Sequence, residues 1–145
     1  MFKHVLLPTD GSNLTQVAIQ KGVQLAKSMK AKITGISVMP EQKYYLYYTD
    51  ITLQVKEETA KQHKKQAGEN LSFIENAAKD ADVPCETICE TSDHPYEKII
   101  GVAEKRGCDL IMMASHGRRG LQSLLLGRET QKVLTHSDIP VLIVR

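Results

Sequence analysis

Between Met113 and Thr130 the chain reads Met-Ala-Ser-His-Gly-Arg-Arg-Gly-Leu-Gln-Ser-Leu-Leu-Leu-Gly-Arg-Glu-Thr. Three glycines, three arginines and a histidine surround one short apolar run. A polyphosphate needs converging backbone N–H groups, positive charge nearby, and glycine where a Cβ would block its approach. Gly117, Gly120 and Gly127 meet the last need, and Arg118, Arg119 and Arg128 supply guanidinium groups. The amides from Gly127 to Thr130 would sit at the N-terminus of a final helix, with the Thr130 hydroxyl in its first turn. The same composition also occurs at strand ends that hold no ligand.

The spacing narrows the choice. Gly117 is not followed by the xxxxGK[ST] of a Walker loop, and no GxGxxG is present. Gly117-Arg-Arg-Gly120 has the GxxG spacing of single-strand clamps, but those lie between two helices, whereas here a buried strand runs straight into the motif. Ser115 and His116 are adjacent, like a nucleophile and its base. Neighbours on extended backbone are expected to point to opposite sides, and no GxSxG elbow surrounds the serine, so the pair is read as loop-shaping or phosphate-bonding.

A second candidate turn is Pro8-Thr-Asp-Gly-Ser12. The Asp10 carboxylate could hold a ribose hydroxyl or a magnesium ion bound to phosphates. It could equally form an Asx-turn or cap a helix before Gly11. A phosphoacceptor receiver would need a second acidic neighbour and a central aspartate, and neither is in place. Tyr44-Tyr-Leu-Tyr-Tyr48 could stack a base, cover the sheet edge or contact a second subunit. His63 is expected at the core edge, and Lys61, Lys64 and Lys65 on a solvated face.

The elements that must position these residues follow from periodicity. Lys3–Pro8 is a short apolar strand before the first turn, and Leu14, Val17, Ala18, Leu25 and Met29 mark a helix capped by Ser12 or Asn13. Ala31–Met39 is β-branched and alternating. From about Ile51, apolar residues Ala60, Ala67, Leu71, Ile74, Ala78 and Ala81 recur at helical spacing with His63 among them. Pro84–Thr91 alternates as a strand near an edge, and a helix opens at Asp93-His-Pro and stops at Gly107. Asp109–Ala114 is a continuous apolar run, as in a strand buried on both faces. Glu129–His136 is a short helix and Pro140–Val144 a last strand. Strands alternating with helices imply βαβ units, a parallel sheet and one α/β sandwich over residues 1–145. Ligands in such sheets bind beyond the strand carboxyl ends where the strand order reverses, the edge on which both candidate turns lie.

Composition excludes several classes. A net charge of +2 is too small for a general nucleic-acid binder, so none is expected as a partner. The opening Val5-Leu6-Leu7 is too short for a signal peptide or a membrane span, and a cytoplasmic location is expected. Cys85 and Cys89 fall four apart on one strand, roughly 13 Å between Cα atoms, too far to bridge. With Cys108 they are read as reduced, mostly buried thiols.

With these motifs in view, the sequence resembles the universal stress protein family over essentially its whole length. Lys3-His-Val-Leu-Leu-Pro-Thr-Asp-Gly-Ser12, Asp109-Leu-Ile-Met-Met-Ala-Ser-His-Gly-Arg118 and Ser137-Asp-Ile-Pro-Val-Leu-Ile-Val-Arg145 are similar to its three signatures, in order. The resemblance implies a five-stranded parallel sheet ordered 3-2-1-4-5, Rossmann-like, with four helices, and a homodimer formed through the last strand. It also implies ATP as a regulatory ligand in stress response, in a site of Pro8, Thr9, Asp10, Val38, Met39, Ala114, His116, Gly117, Arg118, Gly127, Arg128, Glu129 and Thr130. Adenine would lie near Val38 and Met39, ribose near Asp10, and phosphates with magnesium across Gly117, Gly127 and Thr130. ATP-binding members carry Gly, two residues, Gly, nine residues, then Gly followed by Ser or Thr. Here those positions are Ala114, Gly117, Gly127 and Arg128, so the first glycine and the terminal hydroxyl are replaced. A nucleotide-independent dimeric interaction module and a weak or partner-dependent ATPase are the alternatives the family leaves open.

Overall fold

A computed structural model of the chain describes residues 1–41, 50–116 and 126–145, with 50–53 described by their backbone alone. Strand β1 (His4–Pro8) leads to helix α1 (Asn13–Met29), then β2 (Lys32–Met39), α2 (Asp50–Asp80) and β3 (Cys85–Thr91). Helix α3 (Pro95–Arg106), β4 (Leu110–Ala114), α4 (Arg128–His136) and β5 (Val141–Val144) complete the chain. All strand pairs are parallel in one sheet of order β3-β2-β1-β4-β5. The strand order therefore reverses between β1 and β4.

Each face of the sheet carries its own apolar layer. Val5, Leu7, Ile33, Leu110 and Met112 pack under Ala18, Ile19 and Val23 of α1 and Leu71, Ile74 and Ala78 of α2. The alternate residues Leu6, Ile36, Ile111 and Met113 meet Ile99, Val102 and Ala103 of α3 and Val133 of α4. The period-2 alternation of strand side chains sends each set to one face. β4 is buried at all five positions, as its unbroken apolar run requires of a central strand.

The helix boundaries follow the expected cap chemistry. Ser12 is the N-cap of α1, its hydroxyl accepting from the Thr15 N–H. Gly107 ends α3 with φ of +70°, and its N–H returns to the last carbonyls. Two expectations need correction. On α2 the apolar stripe is buried only from Ala67 onward; Ala60 is exposed, because the first turns run beyond the apolar layer over the sheet. Of the thiols only Cys108 is buried, Cys85 is half-buried and Cys89 exposed, because β3 is the edge strand. Burial pushes the Cys85 and Cys108 thiols up to about 11, so both stay protonated at neutral pH.

The amino edge of the sheet is closed by polar side chains bonded to one another. His4 Nε2 lies 2.7 Å from Thr34 Oγ1, which donates to Glu86 Oε1 at 3.0 Å, while Arg106 donates to Glu86 Oε2 at 3.1 Å. The Asp109 carboxylate accepts the N–H groups of Lys3 (2.8 Å) and His4 (2.9 Å). Burial would raise its pKa, but those two N–H bonds outweigh it and the net shift is downward. His4 is held below its usual value, chiefly by burial and then by Lys32, with Glu86 and Asp109 opposing.

Candidate functional site

The turns after β1 and β4 leave neighbouring strands at the carboxyl edge, since β1 and β4 pair directly. In the first turn Thr9 is buried, and its N–H donates to Ile36 O of β2 at 2.9 Å. Its hydroxyl accepts the Gly11 N–H at 3.1 Å. Asp10 Oδ1 accepts from the Ser12 N–H and from Thr15 Oγ1, both at 2.9 Å. That oxygen thus forms the Asx-turn, one of the two roles open from sequence. Gly11 has φ of +79°, a backbone that disfavours any side chain, and a methyl there would also collide with the Asn70 carboxamide. Pro8 is half-buried at the end of β1, and Val38 and Met39 are half-buried at the end of β2 beside it.

The second turn starts at Ser115, which is buried. Its N–H donates to Val144 O at 2.8 Å, and its carbonyl accepts the Gly127 N–H at 2.7 Å. These two bonds bring the start of α4 back to the end of β4. His116 Nδ1 lies 3.2 Å from Ser115 Oγ, contrary to the expectation that the two side chains diverge. The reason is local: the strand ends at Ala114 and Ser115 is already a bend, so the extended alternation no longer applies. The His116 Nε2 atom is buried with no hydrogen-bond partner among the described residues. Gly117 and Arg118, with Arg119 and Gly120, lie outside the described residues, as does the tyrosine segment Tyr44–Tyr48.

Helix α4 begins at Arg128, whose side chain is exposed. Its N-cap is Gly127, which supplies no side-chain capping bond. The amides of Arg128, Glu129 and Thr130 therefore have no acceptor within the helix. They lie at the positive end of its dipole, beside a guanidinium group.

Two residues of this turn have roles the sequence did not reveal. The buried Thr130 hydroxyl donates to Ala114 O at 3.0 Å, so its proton ties α4 to β4 and does not lie open to a phosphate. Glu129 Oε2 accepts the Tyr96 N–H at 3.0 Å, and Oε1 lies 3.5 Å from Lys132 Nζ. Glu129 thus caps the amino end of α3, where His94 makes no side-chain cap bond. Lys132 also stands 5.3 Å from the Tyr96 ring centre, which in turn lies 5.1 Å from His136.

Several wall residues were missed in the sequence. A cleft of about 200 Å³ opens beside the first turn, lined by Thr9, Gly11, Gln16, Gln66, Glu69, Asn70 and Phe73. Gln66, Glu69 and Asn70 sit on α2 just where its inner stripe turns from apolar to polar. That change in the character of one helical face was the available signal. No group of three or more His, Cys, Asp or Glu side chains able to hold a metal occurs among the described residues.

The model of the universal stress protein family matches residues 1–145. The chain belongs to that family. It is 32% identical over 164 residues to the universal stress protein YxiE of Bacillus subtilis, with the whole of both chains covered. Its fold is also that of a universal stress protein crystallised in complex with cAMP (TM-score 0.67, 21% identity, 99% of this chain and 97% of that one). A universal stress protein from Archaeoglobus fulgidus in complex with dAMP shares it as well (TM-score 0.70, 14% identity, 100% and 98% covered). In this universal stress protein no helix among the described residues is long and apolar enough to cross a membrane.

Proposed function

We propose that the chain binds an adenine nucleotide as a regulatory ligand at the carboxyl edge of its sheet, between the β1 turn and the start of α4. The observation that carries the reading is the amino end of α4. Gly127 leaves its first-turn amides uncapped, and Ser115 holds them next to the strand-order reversal, where open α/β sheets take their ligands. Phosphates would meet the amides of Arg128, Glu129 and Thr130, the Arg128 guanidinium, Gly127, and the Gly117-Arg118 segment with His116. Ribose would lie at the Asp10 turn and adenine beside Val38 and Met39. The ligands of the two solved relatives are both adenine nucleotides, which supports the base and leaves the phosphate number open. ATP would bring its own magnesium ion, with Asp10 as the nearest proposed carboxylate.

Arg128 stands where ATP-binding members carry a hydroxyl, and a guanidinium serves a phosphate through paired, charged N–H donors. Ala114 adds one methyl, directed into the apolar layer under α1 and α2. Titration calorimetry with Mg-ATP, together with AMP and cAMP, tests the reading. Binding heat and an upward thermal shift are expected, and no heat from any of the three at millimolar ligand overturns it.

A second reading has its own observation. β5 is an edge strand whose Leu142 is 41% exposed, with Leu134 of α4 equally exposed. An exposed apolar edge strand favours pairing with a second copy. We propose a homodimer through β5, formed with or without nucleotide. Sedimentation of the wild type and of Leu142→Lys, each with and without ATP, separates the two readings.

A further inference from the structure

Helix α2 is longer than the sheet it covers. Its 31 residues span about 46 Å at a rise of ~1.5 Å each, whereas the 8 residues of β2, the longest strand, span about 26 Å. The excess of about 20 Å, roughly thirteen residues, falls at the start of the helix. No side chain from Gln54 to Gln66 is buried, and Ala67 is the first that is. Because α2 returns the chain from the carboxyl end of β2 to the amino end of β3, this first half projects past the carboxyl edge. Lys56, Thr59 and His63 are half-buried on it. At steps of three and four residues they share one helical face with Gln66, Asn70 and Phe73 of the cleft wall.

Two features weaken the helix where its packed half begins. Gly68 follows Ala67 with nothing within 4 Å of the place a Cβ would occupy, so packing does not call for a glycine there. In a helix interior it weakens the helix about fivefold relative to alanine. One turn on, the Ser72 hydroxyl donates to Gly68 O at 2.8 Å and competes with the Ser72 N–H for that carbonyl, a bond that bends helices. Glycine and serine so paired are a known cause of kinks. Gly101 in α3 is equally open, but Ile99, Val102 and Ala103 are buried on either side of it, so no unpacked half hangs from it.

We propose that Gly68 is the hinge of an arm, residues 54–66, that swings at the carboxyl edge and closes when a nucleotide occupies it. A ligand against the Thr9–Gly11 turn meets the arm's inner face only when the arm is down, and that difference in contact shifts the arm toward closure. The closure rests on the nucleotide reading; the hinge itself does not.

Residue-resolved amide exchange on the full chain tests this, for the wild type, Gly68→Ala and the control Gly101→Ala, with and without Mg-ATP. The N–H groups of Glu69 to Ser72 bond to the carbonyls of Lys65 to Gly68, so flexing at Gly68 opens them first. In the wild type they should exchange faster than the amides on either side. Gly68→Ala should slow them about fivefold, Gly101→Ala should leave them unchanged, and saturating Mg-ATP should slow them in the wild type. Protection that rises steadily from Gln54 to Ala78 describes a fraying end and overturns the hinge, as does a dip that Gly68→Ala leaves in place. A dip that saturating Mg-ATP does not alter overturns the closure. No binding heat from Mg-ATP removes the nucleotide reading and the closure with it, while the dip and its response to Gly68→Ala still decide the hinge.

Discussion

The two ends of this parallel sheet are built from similar residue types and used oppositely. At the amino edge His4, Thr34, Glu86, Arg106 and Asp109 bond to one another or to backbone N–H groups, and His4 and Thr34 are buried. At the carboxyl edge the first-turn amides of α4 and the N–H groups of Asn70 have no protein acceptor among the described residues, and a cleft opens beside Asn70. Satisfied polar groups stabilise a fold and recognise nothing further, whereas preorganised donors without acceptors are what a ligand can use. The contrast supports the carboxyl edge as the proposed binding edge, because the polar groups there are left incomplete.

Breaking the closed edge should cost the most stability. Thr34→Val removes the hydroxyl shared by His4 and Glu86 and leaves two polar groups without it, an expected loss of about 3 kcal/mol in urea unfolding. Nucleotide affinity should be unaffected, because the change lies at the opposite end of the strands. Gly11→Ala comes next: the left-handed backbone and the collision with Asn70 are expected to cost about 2 kcal/mol. Here affinity should fall with stability, which would separate the open edge from the closed one.

Thr130→Val sharpens the comparison at the α4 start. It loses the bond to Ala114 O, for about 1 kcal/mol of stability, and should weaken nucleotide binding by loosening the first turn. Thr130→Ser should restore both, as only a hydroxyl is required.

The smallest expected effect is on pH. His4 is held below its ordinary value by burial, so the unfolded chain takes up its proton at higher pH than the folded one. Its contribution is present above about pH 6.5 and is lost as the pH falls from there through the folded-state value. Urea midpoints between about pH 7.5 and 5.5 should fall more steeply for the wild type than for His4→Gln. Equal slopes would mean that the closed edge carries no proton linkage from this residue.

Much of the architecture was legible in the residues themselves. The unbroken Leu110–Ala114 run identified a central strand, Gly107 a helix stop, and the alternation of strands and helices a parallel sheet. The candidate site was legible mainly through its glycines and its position after β1 and β4. Gln16, Glu69 and Asn70 were not, because polar residues on a helix look alike whether they face solvent or a cleft. The Ser115–His116 contact was missed because the alternation rule was carried one residue past the end of its strand.

Sequence alone therefore determined the order and type of the elements, since hydrophobic period and cap chemistry act over a few residues. It also located the two turns where a nucleotide is proposed to bind. Only the tertiary structure decided which polar groups were already used. Thr130 and Glu129 look available in the sequence, yet one is bonded to Ala114 and the other caps α3. Each of those bonds joins α4 to a different element, at sequence separations of 16 and 33 residues. Local pattern carries no record of pairings that exist only once the chain has packed.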